Sequence, residues 1–193
     1  AAEDTRNTMK LLSHFGIKTR CVAHHLHNEK ESANGLIKML DEGMNIALVS
    51  DAGYPLLSDP GQMVVNLVIE AGYNVVPISG SNAALNALVA SGLSAQPFLF
   101  YGFLGSIEKE RVATLQELKE YPQTLIFYEA PHRLKTTLEN MLEVFGVEIS
   151  GKQNLAKGEE VEISTPESKV KVFVVPTNEE LMIARETERI VKN

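Results

Sequence analysis

The chain has 193 residues, 44% of them hydrophobic, enough for one domain or two small lobes with a substantial core. Its formal charge is −7, which argues against a protein that grips long nucleic acid through phosphates, and no apolar run approaches the ~18 residues that a membrane span needs. The single cysteine, Cys21, excludes an internal disulfide framework and any zinc spacing; it fits a reducing, cytoplasmic compartment.

Ala1 to Asp4 reads as the end of a strand running into a loop. Thr5 to Phe15 follows as a helix, capped by Asp4 or Thr5 and stopped by Gly16. Arg20 to His25 reads as a strand, in whose apolar surroundings Cys21 is a buried thiol rather than a nucleophile. Asn28 to Glu42 is a second helix, with Asn28 and Glu31 spaced as a relative of the capping box, and Gly43 ends it. The charge is uneven over this part: residues 1–40 hold six Lys/Arg against four acids, and four of the five histidines.

The next stretch organises the rest. Ile46 to Val49 is a short apolar run that reads as a buried parallel strand. Ser50-Asp51-Ala52-Gly53 breaks it, Tyr54-Pro55 forces an extended turn, and Ser58-Asp59-Pro60-Gly61 breaks the chain again before a helix over 61–71. Two small-residue turns therefore sit just beyond the carboxyl end of a strand, where open α/β sheets bind ligands. An ordinary strand-to-helix loop is the plainer reading. Asn74 to Ile78 repeats the pattern as a strand, broken by Ser79 to Asn82 and followed by a helix of small residues over 83–90. Small side chains there suit a ligand's approach or tight helix–sheet packing equally.

Phe98 to Tyr101 is a further strand, and Gly102 to Ser106 reads as a hinge between two lobes, 1–101 and 102–193. Glu108 to Lys119 is an amphipathic helix. Thr124 to Tyr128 is a buried strand followed by Glu129-Ala130-Pro131-His132-Arg133, with Pro131 opening a helix that runs to Phe145 before Gly146. A carboxylate, an imidazole and a guanidinium thus gather at a strand's carboxyl end, although capping and surface charge explain each singly. Gln153 to Ala156 is a short strand. Val161–Ser164 and Val170–Val175 read as antiparallel strands about a Thr165-Pro166 turn, and Thr177 opens a last charged helix. Alternating strands and helices give an α/β fold.

No glycine fingerprint for dinucleotides, P-loop, Ser/His/Asp spacing or metal constellation stands out. The segments AAEDTRNTMKLLSHFGI, HNEKESANGLI, LVSDAGYPLLSDPG, GSNAALNALVASGL, FLFYGFL and TLIFYEAPHRL, in that order, resemble the tetrapyrrole methylase family of S-adenosylmethionine-dependent enzymes. Over about residues 1–146 they are most similar to its branch that modifies small-subunit ribosomal RNA. The resemblance implies a two-lobed tetrapyrrole-methylase-like (class III) methyltransferase fold, a homodimer, and S-adenosyl-L-methionine held in the cleft between lobes. It also implies the activity, 2′-O-methylation of a cytidine ribose in that RNA, with no metal and no membrane partner.

By the same resemblance the cofactor is lined by the loop of Asp51, Ala52, Gly53, Pro55, Leu56, Leu57 and Ser58. The turn of Ser81, Ala83 and Ala84, the strand end Phe127-Tyr128, and Ala156 approach it as well. Family members begin with a strand and a Pro- and Gly-containing loop before Glu3-Asp4-Thr5-Arg6; this sequence begins after them, which implies material upstream of Ala1. Other departures are Ser79 to Ala83, which lacks a second proline, Gly105 where the family has proline, and Asn154 to Lys157, a remnant of a longer stretch. A 2′-hydroxyl is a weak nucleophile, so a base is sought. Glu129, His132 and Asp4 are the candidates, unless positioning alone suffices. Arg6 and Arg133 read as phosphate or nucleotide contacts. A tetrapyrrole C-methyltransferase of the same fold and an inactive cofactor-binding module are the alternatives.

Overall fold

The computed structural model describes residues 1–51, 53–80, 82–149 and 161–176. The chain divides into two compact units, Ala1–Asn82 and Ala83–Asn193. The strand that spans the expected lobe boundary at 101/102 falls wholly within the second.

The first unit is built around its first three residues. On one side Ala2 N donates to Val22 O (2.9 Å) and His24 N to Ala2 O (2.8 Å). On the other, Glu3 N donates to Val49 O (3.2 Å) and Val49 N to Ala1 O (2.9 Å). Both pairings are parallel, so residues 1–3 run between segments 22–24 and 47–49, and Ala2 is fully buried. The expected strands over 20–25 and 46–49 are thus reduced to these short bridges.

Three helices accompany them: α1 (Thr5–His14), α2 (Glu29–Asp41) and α3 (Gln62–Glu70). Asp4 caps α1 as expected, accepting from Arg6 N. The capping-box reading of α2 is corrected, since the Asn28 side chain caps no backbone amide of the helix and meets there only the Ser32 hydroxyl, which donates to it at 3.5 Å. Its amide instead ties down the incoming chain, accepting from His25 N (2.8 Å) and donating to Ala23 O (3.2 Å). Ala33 and Leu36 of α2 pack with Val64 of α3 in the core, joined by Val22, Ile46 and Leu48. Glu29, in the first turn of α2, reaches across and accepts from Gly61 N (3.0 Å) and Met63 N (3.2 Å), supplying the cap that Gly61 cannot provide for α3.

The strand expected over 74–78 does not form. Those residues make no ladder, and Ile78 is 81% exposed. An apolar β-branched run becomes a strand only against a neighbour that takes its backbone hydrogen bonds.

In the second unit α4 (Ala83–Ser91) precedes β1 (Phe98–Phe103), α5 (Glu108–Leu118), β2 (Thr124–Tyr128) and α6 (Pro131–Phe145). β1 and β2 are parallel, with α5 in the crossover that such a pair requires. Phe100 faces Ile126 and Gly102 faces Phe127, so Tyr101 is an extra residue. Gly102 adopts φ +80° at this bulge. Gly102 and Phe103, expected to begin a hinge, therefore complete the strand. Leu104, Leu115 and Val144 form the buried centre, with Phe127 and Met141 against them; each large side chain contributes about 2 kcal/mol by its burial. Pro131 opens α6, and Gly146 closes it in the left-handed conformation, as expected. β3 (Val161–Glu162) and β4 (Phe173–Val174) pair antiparallel, shorter than expected. The expected strand over 153–156 and the helix after Thr177 lie outside the described residues.

Candidate functional site

The loop 50–61 leaves the segment that pairs with Glu3, so it starts beside the first turn of α1. Asp51 N donates to Glu3 Oε2 (3.1 Å), and Asn7 Nδ2 donates to Asp51 Oδ2 (2.9 Å). Further along, Leu57 N donates to Tyr54 O (3.1 Å). This closes a four-residue turn with Pro55 second and Leu56 third at φ +72°, the arrangement of a type II turn. Ser58 is also at φ +72°. Two non-glycine residues in the left-handed region cost on the order of 1–2 kcal/mol each, an outlay that points to function when it clusters in one loop.

Gly53 (φ +73°) has open space where a side chain would stand. At Gly61 (φ +130°) a Cβ would come 2.9 Å from Leu48 Cδ2 and 3.1 Å from Leu56 Cδ1. There the missing side chain lets the loop close down on the core. Asp51, Gly53, Leu57 and Ser58 are exposed, while Pro55 and Leu56 are half-buried. Ala52, Ser81 and Ala156 lie outside the described residues.

Asp4 and Arg6 sit at the same end of the unit and satisfy each other. Arg6 Nη2 donates to Asp4 Oδ2 (2.6 Å) and Nε to Oδ1 (3.0 Å), while the Arg6 side chain is 85% exposed. These hydrogen bonds, with the attraction of the guanidinium, hold the Asp4 carboxyl at about 2. A carboxylate so stabilised is a weak proton acceptor near neutral pH.

In the second unit the expected cluster divides. Glu129, 7% exposed at its side chain, accepts from Ala130 N (2.8 Å) and Thr137 Oγ1 (2.6 Å) and faces Arg133 Nε at 3.3 Å. Arg133 also donates through Nη2 to Leu104 O (2.9 Å) and Gly105 O (3.0 Å). Both charges are thus committed to joining the start of α6 to the turn after β1. His132 is exposed and makes no hydrogen bond among the described residues. Phe127 and Tyr128 are half-buried, and Tyr128 meets the edges of Phe100 (4.9 Å) and Phe103 (5.7 Å). Ala84 is buried and Ala83 half-buried.

Sequence reasoning missed the residues that complete this anchor. Arg111, only 3% exposed, donates from Nε to Asn140 Oδ1 (2.7 Å) and from Nη1 to Gly105 O (3.2 Å) and Ser106 O (3.3 Å). Asn140 Nδ2 donates in turn to Glu108 Oε1 (3.1 Å). The signal was present: Arg111, Leu115 and Leu118 recur at helical spacing, so Arg111 stands in the apolar stripe of α5. No group of three or more His, Cys, Asp or Glu among the described residues is placed to hold a metal ion. No helix among them is long and apolar enough to cross a membrane.

The chain is similar to ribosomal RNA small subunit methyltransferase I of Bacillus subtilis, 53% identical over 146 residues, which are 76% of this chain and 50% of that one. It is similar to the proteins of the same name from Haemophilus influenzae, 51% identical over 148 residues (77% and 52%), and from Escherichia coli O157:H7, 51% over 146 residues (76% and 51%). The chain spans about half the length of these curated relatives. The family model for tetrapyrrole (corrin/porphyrin) methylases matches residues 1–169, and to that family the chain belongs.

Proposed function

We propose that this chain carries out the S-adenosylmethionine-dependent 2′-O-methylation of a cytidine ribose in small-subunit ribosomal RNA. The observation that carries the reading is the identity of about half of all positions, over 146 residues, with relatives named for that RNA. Methyltransferases of this family draw their methyl group from S-adenosylmethionine.

The loop 51–58 fits such a cofactor: its backbone turns at three positive-φ residues, Gly53 leaves open space, and the exposed carboxylate of Asp51 suits a cationic ligand. When bound, the cofactor supplies a methyl carbon already activated by its sulfonium. What remains for the protein is to align the ribose oxygen and to take its proton. Of the three candidate bases, His132 has an uncommitted imidazole and is assigned the proton. Glu129 and Asp4 already accept from several donors and serve as anchors for Arg133 and Arg6. The protein acts in the cytoplasm as a homodimer.

A second reading, methylation of a tetrapyrrole carbon, is favoured by the description of the family model. One experiment separates the two. The chain is incubated with methyl-labelled cofactor and either small subunits lacking the modification or a tetrapyrrole precursor. Label in an alkali-resistant dinucleotide supports the ribose reading. Label on the tetrapyrrole alone transfers the assignment to carbon methylation.

A further inference from the structure

From Thr5 to Asn28 the chain contains no aspartate or glutamate, yet it holds Arg6, Lys10, Lys18 and Arg20 in a protein whose total is −7. The first part of this stretch is α1, a helix with no buried residue. From Ser13 to Arg20 every residue is exposed. Arg6 is balanced by Asp4, but Lys10, Lys18 and Arg20 form no ion pair among the described residues. Between these cations lies apolar surface. Phe15 is 57% exposed, its ring meeting that of His14 edge-on at 5.0 Å. Met9, Leu12 and Ile17 floor a shallow hollow of about 290 Å³ with Lys18 on its rim. By helical spacing Lys10 stands on the stripe adjoining Met9 and Ser13. The helix begins where Asn7 touches Asp51 of the candidate cofactor loop.

We propose that α1 and residues 15–20 form a docking surface for single-stranded RNA, with Lys10, Lys18 and Arg20 on its phosphates and Phe15 beneath a base. Two features select this occupant. A cation-rich, acid-free stretch on an acidic protein concentrates the attraction for phosphate in one place. An exposed aromatic ring interleaved with cations is the combination that holds single-stranded nucleic acid, where stacking and phosphate contact act together. An acidic protein would satisfy the cations but not the ring, and a second copy of this chain would bring like charge against like. The proposal rests on the ribosomal RNA reading only in its choice of polymer; the surface itself is defined by charge and exposure.

The test measures binding of the whole chain to a fluorescently labelled, mixed-sequence single-stranded RNA of roughly 20 nucleotides across a salt series. The variants are Lys10→Glu/Lys18→Glu/Arg20→Glu, Phe15→Ala, and a control reversal of two exposed lysines elsewhere, Lys109→Glu/Lys119→Glu. The triple reversal is expected to lose at least tenfold in affinity and to flatten the slope of log K against log salt by about 2, since three contacts to a single strand contribute about −0.7 each. Phe15→Ala should lose several-fold with its slope unchanged, and the control should bind as the parent does. A folded triple variant with parental affinity and slope overturns the proposal. So does a parent that binds no RNA, or a Phe15→Ala variant whose only change is in sedimentation, which would mark a protein interface. Methyl transfer to small subunits is followed in parallel. Transfer that survives the triple reversal together with binding removes this surface but keeps the enzymatic reading. Salt-dependent RNA binding through these cations without any transfer keeps the surface and removes the reading.

Discussion

Gly53 and His24 show how single positions carry different kinds of constraint. At Gly53 the backbone needs φ +73° and the space beside it is open. Valine there would confound strain with obstruction, whereas asparagine tolerates the left-handed region. Gly53→Asn is therefore expected to reduce S-adenosylmethionine affinity at least tenfold by calorimetry while the melting temperature moves by no more than a few degrees. A folded variant with parental affinity would remove the 51–58 loop from the cofactor site. His24 is buried, its Nδ1 2.7 Å from Ser32 Oγ, and that hydroxyl donates to Asn28 O at 2.9 Å. With the hydroxyl proton on Asn28 O, the hydroxyl accepts from His24 Nδ1–H; the buried Nε2 has no hydrogen-bond partner among the described residues. Burial lowers the His24 pKa from 6.5, opposed by the nearby Glu29. A depressed histidine binds its proton more readily in the unfolded chain, so its contribution to stability is complete above about pH 6.5 and declines as the pH falls below that value. The melting temperature should drop between pH 7.5 and 5.5, and His24→Gln should drop less over the same interval. Parallel curves for the two proteins would refute this.

The turn after β1 is fixed as an element by two guanidiniums from different helices, Arg111 of α5 and Arg133 of α6, meeting on the carbonyl of Gly105. Arg111→Met would strand Asn140 Oδ1 in a buried setting, and it should cost about 3 kcal/mol in urea unfolding. Glu129→Gln distinguishes anchor from base. An anchor lost should lower stability and leave the rate per folded molecule within a few-fold. A base lost should cut the rate by about 10²-fold or more. Elements of this kind were unevenly legible in the sequence. Helices α1 to α6 stand within two residues of where caps, glycines and apolar spacing place them, because those signals are local. The runs over 74–78 and 124–128 both read as strands, yet only the second pairs among the described residues; Pro77 removes a ladder donor from the first, and the partner itself is not written within either run. The cluster Glu129-His132-Arg133 was visible as chemistry. That Arg133 and Glu129 are spent on each other and on Leu104 and Gly105 depends on a contact some thirty residues away, which no local pattern encodes.

At the scale of the molecule the decisive quantity is where the charge lies. The sum of −7 argues against a long electrostatic grip, and the bias of residues 1–40 is a local exception. Both follow from composition alone, but composition could not say which cations were spent. Of the four cations between Thr5 and Asn28, Arg6 is paired with Asp4, which leaves three to face phosphate, and this fixes a number. With about three contacts to a single strand, log K should fall with log salt at a slope of about −2. A protein that gripped RNA along a long basic track would show a slope several times steeper. So shallow a dependence leaves little electrostatic affinity at physiological salt, and selectivity must then come from the shape of a folded RNA site. The expected outcome is that assembled small subunits compete with the labelled strand far better, per nucleotide, than the same ribosomal RNA after heat denaturation. A slope steeper than about −5, or equal competition by folded and denatured RNA, would place the grip on cations beyond Lys10, Lys18 and Arg20 and return recognition to charge rather than shape.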